Sequence, residues 1–253
     1  MSESELPHPE VTSFVLMAAE RTGSNLLVGL LDSHPDVRAG GELFNARFVD
    51  ADHIPWQGIE SDAELLAMRR ADPVAFVDHA FGRMVRDGAS AVGFKLLYNQ
   101  ADAARELTHH LAAAMSVKVI HLTRRNRLRR FVSHLLAEQA DEWARSKDAP
   151  PAEHRQVEVD FADFVVDCDE VAKAEQRCVD AFDGHDFLHV VYEDLAADPL
   201  GVARGVVEFL GVDPDAELAV RSQKTGTRPL RETIANFDAL DARLREIGGF
   251  LGD

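Results

Sequence analysis

The segment from Ser13 to Leu31 constrains this chain more than any other. The apolar run Ser13-Phe14-Val15-Leu16-Met17 reads as a strand. Ala18-Ala19-Glu20-Arg21-Thr22-Gly23-Ser24-Asn25 reads as a tight polar loop, and Leu26, Leu27, Leu30 and Leu31 then fall on one face of a helix. A strand, a short loop and a helix aim backbone N–H groups and the positive end of a helix dipole at one point. Such a point binds an anion, usually a phosphate. A helix cap without a ligand is the plainer alternative that the segment alone leaves open.

A nucleoside triphosphate is the first anion to test. A P-loop needs Gly, four residues, then Gly-Lys-Ser/Thr. Aligned on Gly23, the first glycine is replaced by Ala18, the lysine by Ser24 and the metal-binding hydroxyl by Asn25. The cation sits inside the loop instead, at Arg21. A γ-phosphate and its metal are poorly served by this set.

At 253 residues the chain is long enough for one sizeable α/β domain. Residues 1–10 read as a flexible acidic tail without the blocks of a signal peptide, and 11–253 as a single domain. No apolar run is long enough to cross a membrane. Cys168 and Cys178 lie ten residues apart on one expected helix, roughly 15 Å of rise, too far to bridge each other. A reducing, cytoplasmic setting is expected. The net charge of −17 argues against nucleic acid as a partner. Yet no acidic residue lies between Glu106 and Glu138, a window holding Lys118, Arg124, Arg125, Arg127, Arg129 and Arg130. A second acid-free window, Leu218 to Arg231, holds Arg221, Lys224, Arg228 and Arg231. Two such islands in an acidic chain point to a local anionic ligand, or to charge compensation at a helix end or an oligomer surface.

Apolar β-rich runs recur at Phe14–Met17, Val92–Leu97, Val117–Leu122 and Phe187–Tyr192, with helical patterns between them. That alternation predicts a three-layer, P-loop-like α/β/α fold around a mostly parallel sheet of four to five strands. Pro73 opens a helix to Val85, and Pro199 opens one that ends near Gly211. A helix after Arg125 places Leu128, Phe131, Val132, Leu135, Leu136 and Trp143 on one face, with Asn126, Arg130 and Ser133 roughly opposite. A long helix from Phe161 to Phe182 has Phe164, Val165, Cys168, Val171 and Cys178 at core spacing. Between these helices, residues 144–158 include a proline-interrupted loop, the expected mobile part.

Val119-Ile120-His121-Leu122-Thr123-Arg124-Arg125-Asn126 runs from a strand into a helix, and Ser133 follows Arg125 by eight residues. An arginine at a strand's end and a hydroxyl on the adjoining helix can hold a second phosphate. Two anion sites on neighbouring strand ends suit a ligand with two separated acidic groups.

Those residues carry a resemblance. Arg21-Thr22-Gly23-Ser24 resembles the 5′-phosphosulfate loop of sulfotransferases that use 3′-phosphoadenosine 5′-phosphosulfate, and Arg125-Asn126 with Ser133 resembles their 3′-phosphate element. The likeness is to bacterial carbohydrate sulfotransferases of the nodulation-factor type. It extends through His34-Pro35, Gly41-Glu42-Leu43 with Asn45, and Thr227-Arg228-Pro229-Leu230 with Asn236-Phe237. The resemblance implies sulfuryl transfer to a hydroxyl of a carbohydrate or glycolipid, without a metal. It implies donor binding by Arg21, Thr22, Gly23, Ser24, Asn25, Arg125 and Ser133, and support for the 3′-phosphate from Lys224 or Arg228.

The chemistry assigns further roles. Transfer leaves negative charge on the oxygen between sulfur and phosphate, which loop N–H groups, Arg21 and Lys95 would stabilise. Lys95 is a charge inside an apolar strand and must find an anion or the sheet's end. Glu42, after Gly40-Gly41, is the expected general base, with a pKa raised by partial burial. His34 is the competing base or a helix-end cap. Trp143, His134 and Pro150-Pro151 are candidates to line the acceptor site. The acceptor's identity and the oligomeric state do not follow from the sequence. A P-loop-like kinase and a non-catalytic nucleotide-binding scaffold are the rival readings.

Overall fold

Five strands run in one direction through the described part of the chain. The computed structural model describes residues 11–50, 54, 61–86, 88–140, 154–220 and 228–246. In chain order the elements are β1 (Thr12–Ala18), α1 (Ser24–Leu31), β2 (Val37–Glu42), α2 (Asp62–Ala71), α3 (Pro73–Arg86), β3 (Ala91–Leu97), α4 (Tyr98–Ala103) and α5 (Arg105–Ala113). There follow β4 (Lys118–Thr123), α6 (Arg127–Ala140), α7 (Phe161–Ala181), β5 (Phe187–Val191), α8 (Tyr192–Ala197), α9 (Pro199–Leu210), α10 (Leu230–Thr233) and α11 (Phe237–Glu246).

The sheet has the order β2-β3-β1-β4-β5, and every pairing is parallel. β1 therefore sits in the centre, and the order in which strands are added reverses there, β2 and β3 lying on one side and β4 and β5 on the other. Ligands of such sheets bind beyond the strands' C-terminal ends at that reversal. Alternation along β1 builds the layers. Phe14, Leu16 and Ala18 join α1, α8 and α9 in one core, while Val15 and Met17 join α2, α3, α5 and α7 in another. A third cluster packs α6 on α7, α10 and α11.

The four expected strands appear with ends displaced by a residue or two, and the α/β/α layering is as anticipated. β2 is the addition. Its sequence, Val-Arg-Ala-Gly-Gly-Glu, lacks β-branched alternation, and pairing with β3 rather than propensity makes it a strand. One core position needs correction. Val165 is 44% exposed, because α7 buries only the arc through Phe164, Val171, Ala174 and Cys178, and Val165 lies a residue off it. Both cysteines are free thiols, as their spacing requires. Of residues 144–158, only 154–158 are described, and Val157 there bridges Ile234 in parallel. The tail 1–10, Trp143 and Pro150-Pro151 lie outside the described residues.

Candidate functional site

The loop after β1 is held in a shape its own residues do not prefer. Arg21 has φ of 62°, the left-handed region that costs a non-glycine residue roughly 1–2 kcal/mol. Gly23 has φ of 84°, and a Cβ there would meet the Tyr192 ring at 2.5 Å, so no other residue fits. Two buried arginines from the α6 side enforce the turn. Arg124 donates from Nη1 to the Arg21 carbonyl at 2.9 Å and stacks on the Tyr192 ring at 4.2 Å. Arg130 donates to the Glu20 carbonyl at 3.4 Å and is ion-paired with Asp167. The carbonyls of Glu20 and Arg21 are thus turned onto guanidinium groups, which fixes the loop ahead of α1. Among the described residues no side chain caps α1, so its N-terminus can receive an anion. The Thr22 hydroxyl donates to the Ala19 carbonyl at 2.8 Å, so it braces the loop and does not supply the hydroxyl donor expected of it. Ser24 is the buried first residue of α1.

The second corner joins β2, β3 and α1. Lys95 opposes Leu16 on β1 and Glu42 on β2, and it is 2% exposed. A bulge between Gly40 and Glu42 brings Glu42, rather than Gly41, level with Lys95. Gly41 has no room for a Cβ, which would meet Asp50 Oδ2 at 1.9 Å. Lys95 Nζ lies 2.9 Å from Glu42 Oε1 and also donates to Asn25 Oδ1. Glu42 Oε2 accepts from Asn45 at 2.8 Å and from Gln100 at 2.7 Å. Burial works to raise the Glu42 pKa, but the Lys95 ammonium and those donors outweigh it and hold the carboxyl below the usual carboxylate value. The expected raised pKa is therefore corrected: partial burial comes with a cation and two amides.

The α6 element touches the loop through Ser133, whose Oγ accepts from Arg21 Nε at 3.0 Å. The loop thus meets α6 at Ser133. Arg125 itself is 63% exposed and pairs with Asp194 at 2.7 Å. The N–H groups of Arg125 and Asn126 donate to the two Glu193 carboxylate oxygens at 3.1 and 3.0 Å. Asn126 caps α6 by accepting from Arg129 N at 2.9 Å. Arg130, placed by spacing on the face away from the core, is buried, because that face packs on the loop and α7.

Residues 14–216 match the Sulfotransferase family. Nodulation protein H of Rhizobium meliloti is 32% identical over 251 residues, covering 95% of this chain and 93% of that protein. This chain belongs to the sulfotransferase family. Nodulation protein H of Rhizobium tropici is 30% identical over 246 residues, covering 92% and 88%. The crystal structure of a sulfotransferase from Alicyclobacillus acidocaldarius shares the fold, with a TM-score of 0.53, 21% identity and 96% of each chain covered.

Several contacts of the candidate site do not follow from the sequence. Arg124, Arg130, Tyr192 and Glu193 shape the loop and the α6 terminus from positions 67 to 169 residues away, so only pairing across the fold reveals them. Asn99 and Gln100, consecutive on α4, hold Glu20 at 2.8 Å and Glu42 at 2.7 Å. His134 lies 3.1 Å from Glu20 and 3.4 Å from Glu138. Its bond to Glu20 and the two carboxylates raise its pKa against the effect of burial, and the same bond lowers that of Glu20. His34 is not at this site. It is buried beyond the far end of α1, bonded to Asp213 O at 2.8 Å and Asp36 N at 3.0 Å, so it locks a turn and is no base. Arg228 is exposed and near Glu232, and its carbonyl accepts from Arg129 at 3.2 Å. Lys224 lies outside the described residues.

Proposed function

We propose that this sulfotransferase moves the sulfuryl group of 3′-phosphoadenosine 5′-phosphosulfate to a hydroxyl of a carbohydrate or glycolipid acceptor. The observation that carries the reading is the 3.0 Å bond from Arg21 Nε to Ser133 Oγ, which joins the loop to the α6 element. A donor with a phosphosulfate at one end and a phosphate at the other fits two adjoining anion sites. The loop N–H groups, Arg21, Gly23, Ser24 and Asn25 take the 5′ end. Ser133 and Arg125 take the 3′-phosphate, with Arg228 or Lys224 in support.

A sulfuryl group carries less charge than a phosphoryl group, so cations and N–H groups of the chain suffice to stabilise its departure. Glu42 removes the acceptor's proton as the acceptor oxygen attacks sulfur in line with the leaving phosphate oxygen. Lys95 and Arg21 stabilise the charge on the leaving bisphosphate. Glu42 is flanked by Asn45 and Gln100, with Asn25 reached through Lys95, and such amides match hydroxyl groups better than an apolar ring. Incubation with the donor and a panel of sugars and glycolipids, read by mass spectrometry, tests this. A sulfated glycan is expected. Sulfation confined to phenols would overturn the acceptor class.

A further inference from the structure

Glu42 is crowded for a residue assigned to take a proton. Its Oε2 already accepts two N–H groups, from Asn45 at 2.8 Å and Gln100 at 2.7 Å. The Gln100 amide cannot flip without cost, because its Oε1 accepts from Leu97 N at 3.3 Å and so directs Nε2 at Glu42. A proton arriving on Oε2 would face two donors. Oε1 is the remaining position, and Lys95 Nζ covers it at 2.9 Å. The ammonium takes one lone pair of Oε1, and its charge opposes the arrival of a proton on the other.

The other partner of Lys95 tells where the ammonium can go. Asn25 is the second residue of α1, directly after the anion loop, and its Oδ1 accepts from Nζ. The ammonium is thus shared between the base and the edge of the anion site. A phosphosulfate in the loop carries more negative charge than one carboxylate and competes for the same cation.

Resting on the reaction proposed above, we infer that Lys95 is a latch on Glu42 that donor binding opens. The donor's 5′-phosphate draws Nζ from Glu42 Oε1 towards the loop. The acceptor O–H bond then breaks with its proton passing to Oε1, the new O–S bond forms, and the bond from sulfur to the bridging oxygen breaks with its electron pair leaving on adenosine 3′,5′-bisphosphate. Lys95 serves twice, silencing the base and then stabilising the leaving group, and an acceptor bound without donor stays inert. The neighbouring charges are held by other contacts. Asp50 packs behind Gly41, and Arg69 holds the Leu43 and Phe48 carbonyls.

The test follows the Glu42 carboxyl carbon by NMR across a pH titration of the full chain, with and without adenosine 3′,5′-bisphosphate. Binding should move its midpoint up by about one to three units in the unmodified protein, the effect of losing an adjacent cation. In Lys95→Met the midpoint should already be high, and the bisphosphate should move it distinctly less. Equal shifts in both proteins would overturn the latch. A crystal structure of the unmodified protein with the bisphosphate gives an answer independent of the variant's folding. Separation of Nζ from Oε1 beyond 4 Å supports the latch, and an unmoved contact overturns it alone. A bisphosphate that neither binds nor raises the melting temperature overturns the donor assignment along with the latch.

Discussion

The loop at 20–24 and the element at 125–133 are offered to the same ligand, yet they are built in opposite ways. The loop is a backbone device. Its φ angles, its contact with Tyr192 and the grip of Arg124 and Arg130 on two carbonyls leave it one conformation. The α6 element works through side chains, with Arg125 largely exposed and its own N–H group already given to Glu193. A preorganised backbone nest fixes where the reacting end of a donor lies, whereas an exposed arginine adds affinity at the far end with little cost in stability.

That contrast can be broken by mutation. Gly23→Ala should have the largest effect, since the Cβ meets Tyr192 in a strained backbone: about 2 kcal/mol of stability lost and bisphosphate binding abolished, as read by denaturant unfolding and calorimetry. A variant that binds normally would show that the loop is not preorganised. Glu42→Gln should spare bisphosphate affinity and lower kcat by about 10²- to 10⁴-fold, and full activity would remove Glu42 from the chemistry. Arg125→Ala should weaken bisphosphate binding about ten- to a hundredfold while changing free-protein stability by less than about 1 kcal/mol. A large loss of stability would make Arg125 structural, like Arg124.

The smallest effect is one of pH. Glu20 is held below its ordinary value of 4.5, so its contribution is present above that value and lost as pH falls through the depressed one. His134 is raised above 6.5, so its contribution is complete below that value and lost as pH rises through the raised one. The clasp between the loop and α6 is therefore strongest between the two titrations. His134→Gln should flatten the stability profile on both sides, measured by urea unfolding across pH. Parallel profiles for the two proteins would contradict this.

The same division explains how much the sequence disclosed. The β1–loop–α1 unit is contiguous, so Gly23 between an apolar run and a leucine-patterned helix marked it. The proline-started helices α3 and α9 were legible for the same local reason. Lys95 stood out as a charge in an apolar strand, but its partner was not given by spacing, because a bulge on β2 brings Glu42 level with it. Arg124 and Arg130 looked like members of a basic run, and only the fold turns them inward onto the carbonyls of residues 20 and 21. The lowered Glu42 pKa is hidden from the sequence for that reason too: burial follows from local pattern, whereas the ion pair that outweighs it depends on strand register.

Calorimetric titration of the unmodified protein with adenosine 3′,5′-bisphosphate, and separately with ATP plus magnesium, bears most directly on two adjoining anion sites sharing one ligand. The bisphosphate should bind with one site per chain, and removing either its 3′- or its 5′-phosphate should weaken it at least tenfold, while ATP plus magnesium binds poorly. Equal affinity for ATP, or indifference to loss of the 3′-phosphate, would contradict it.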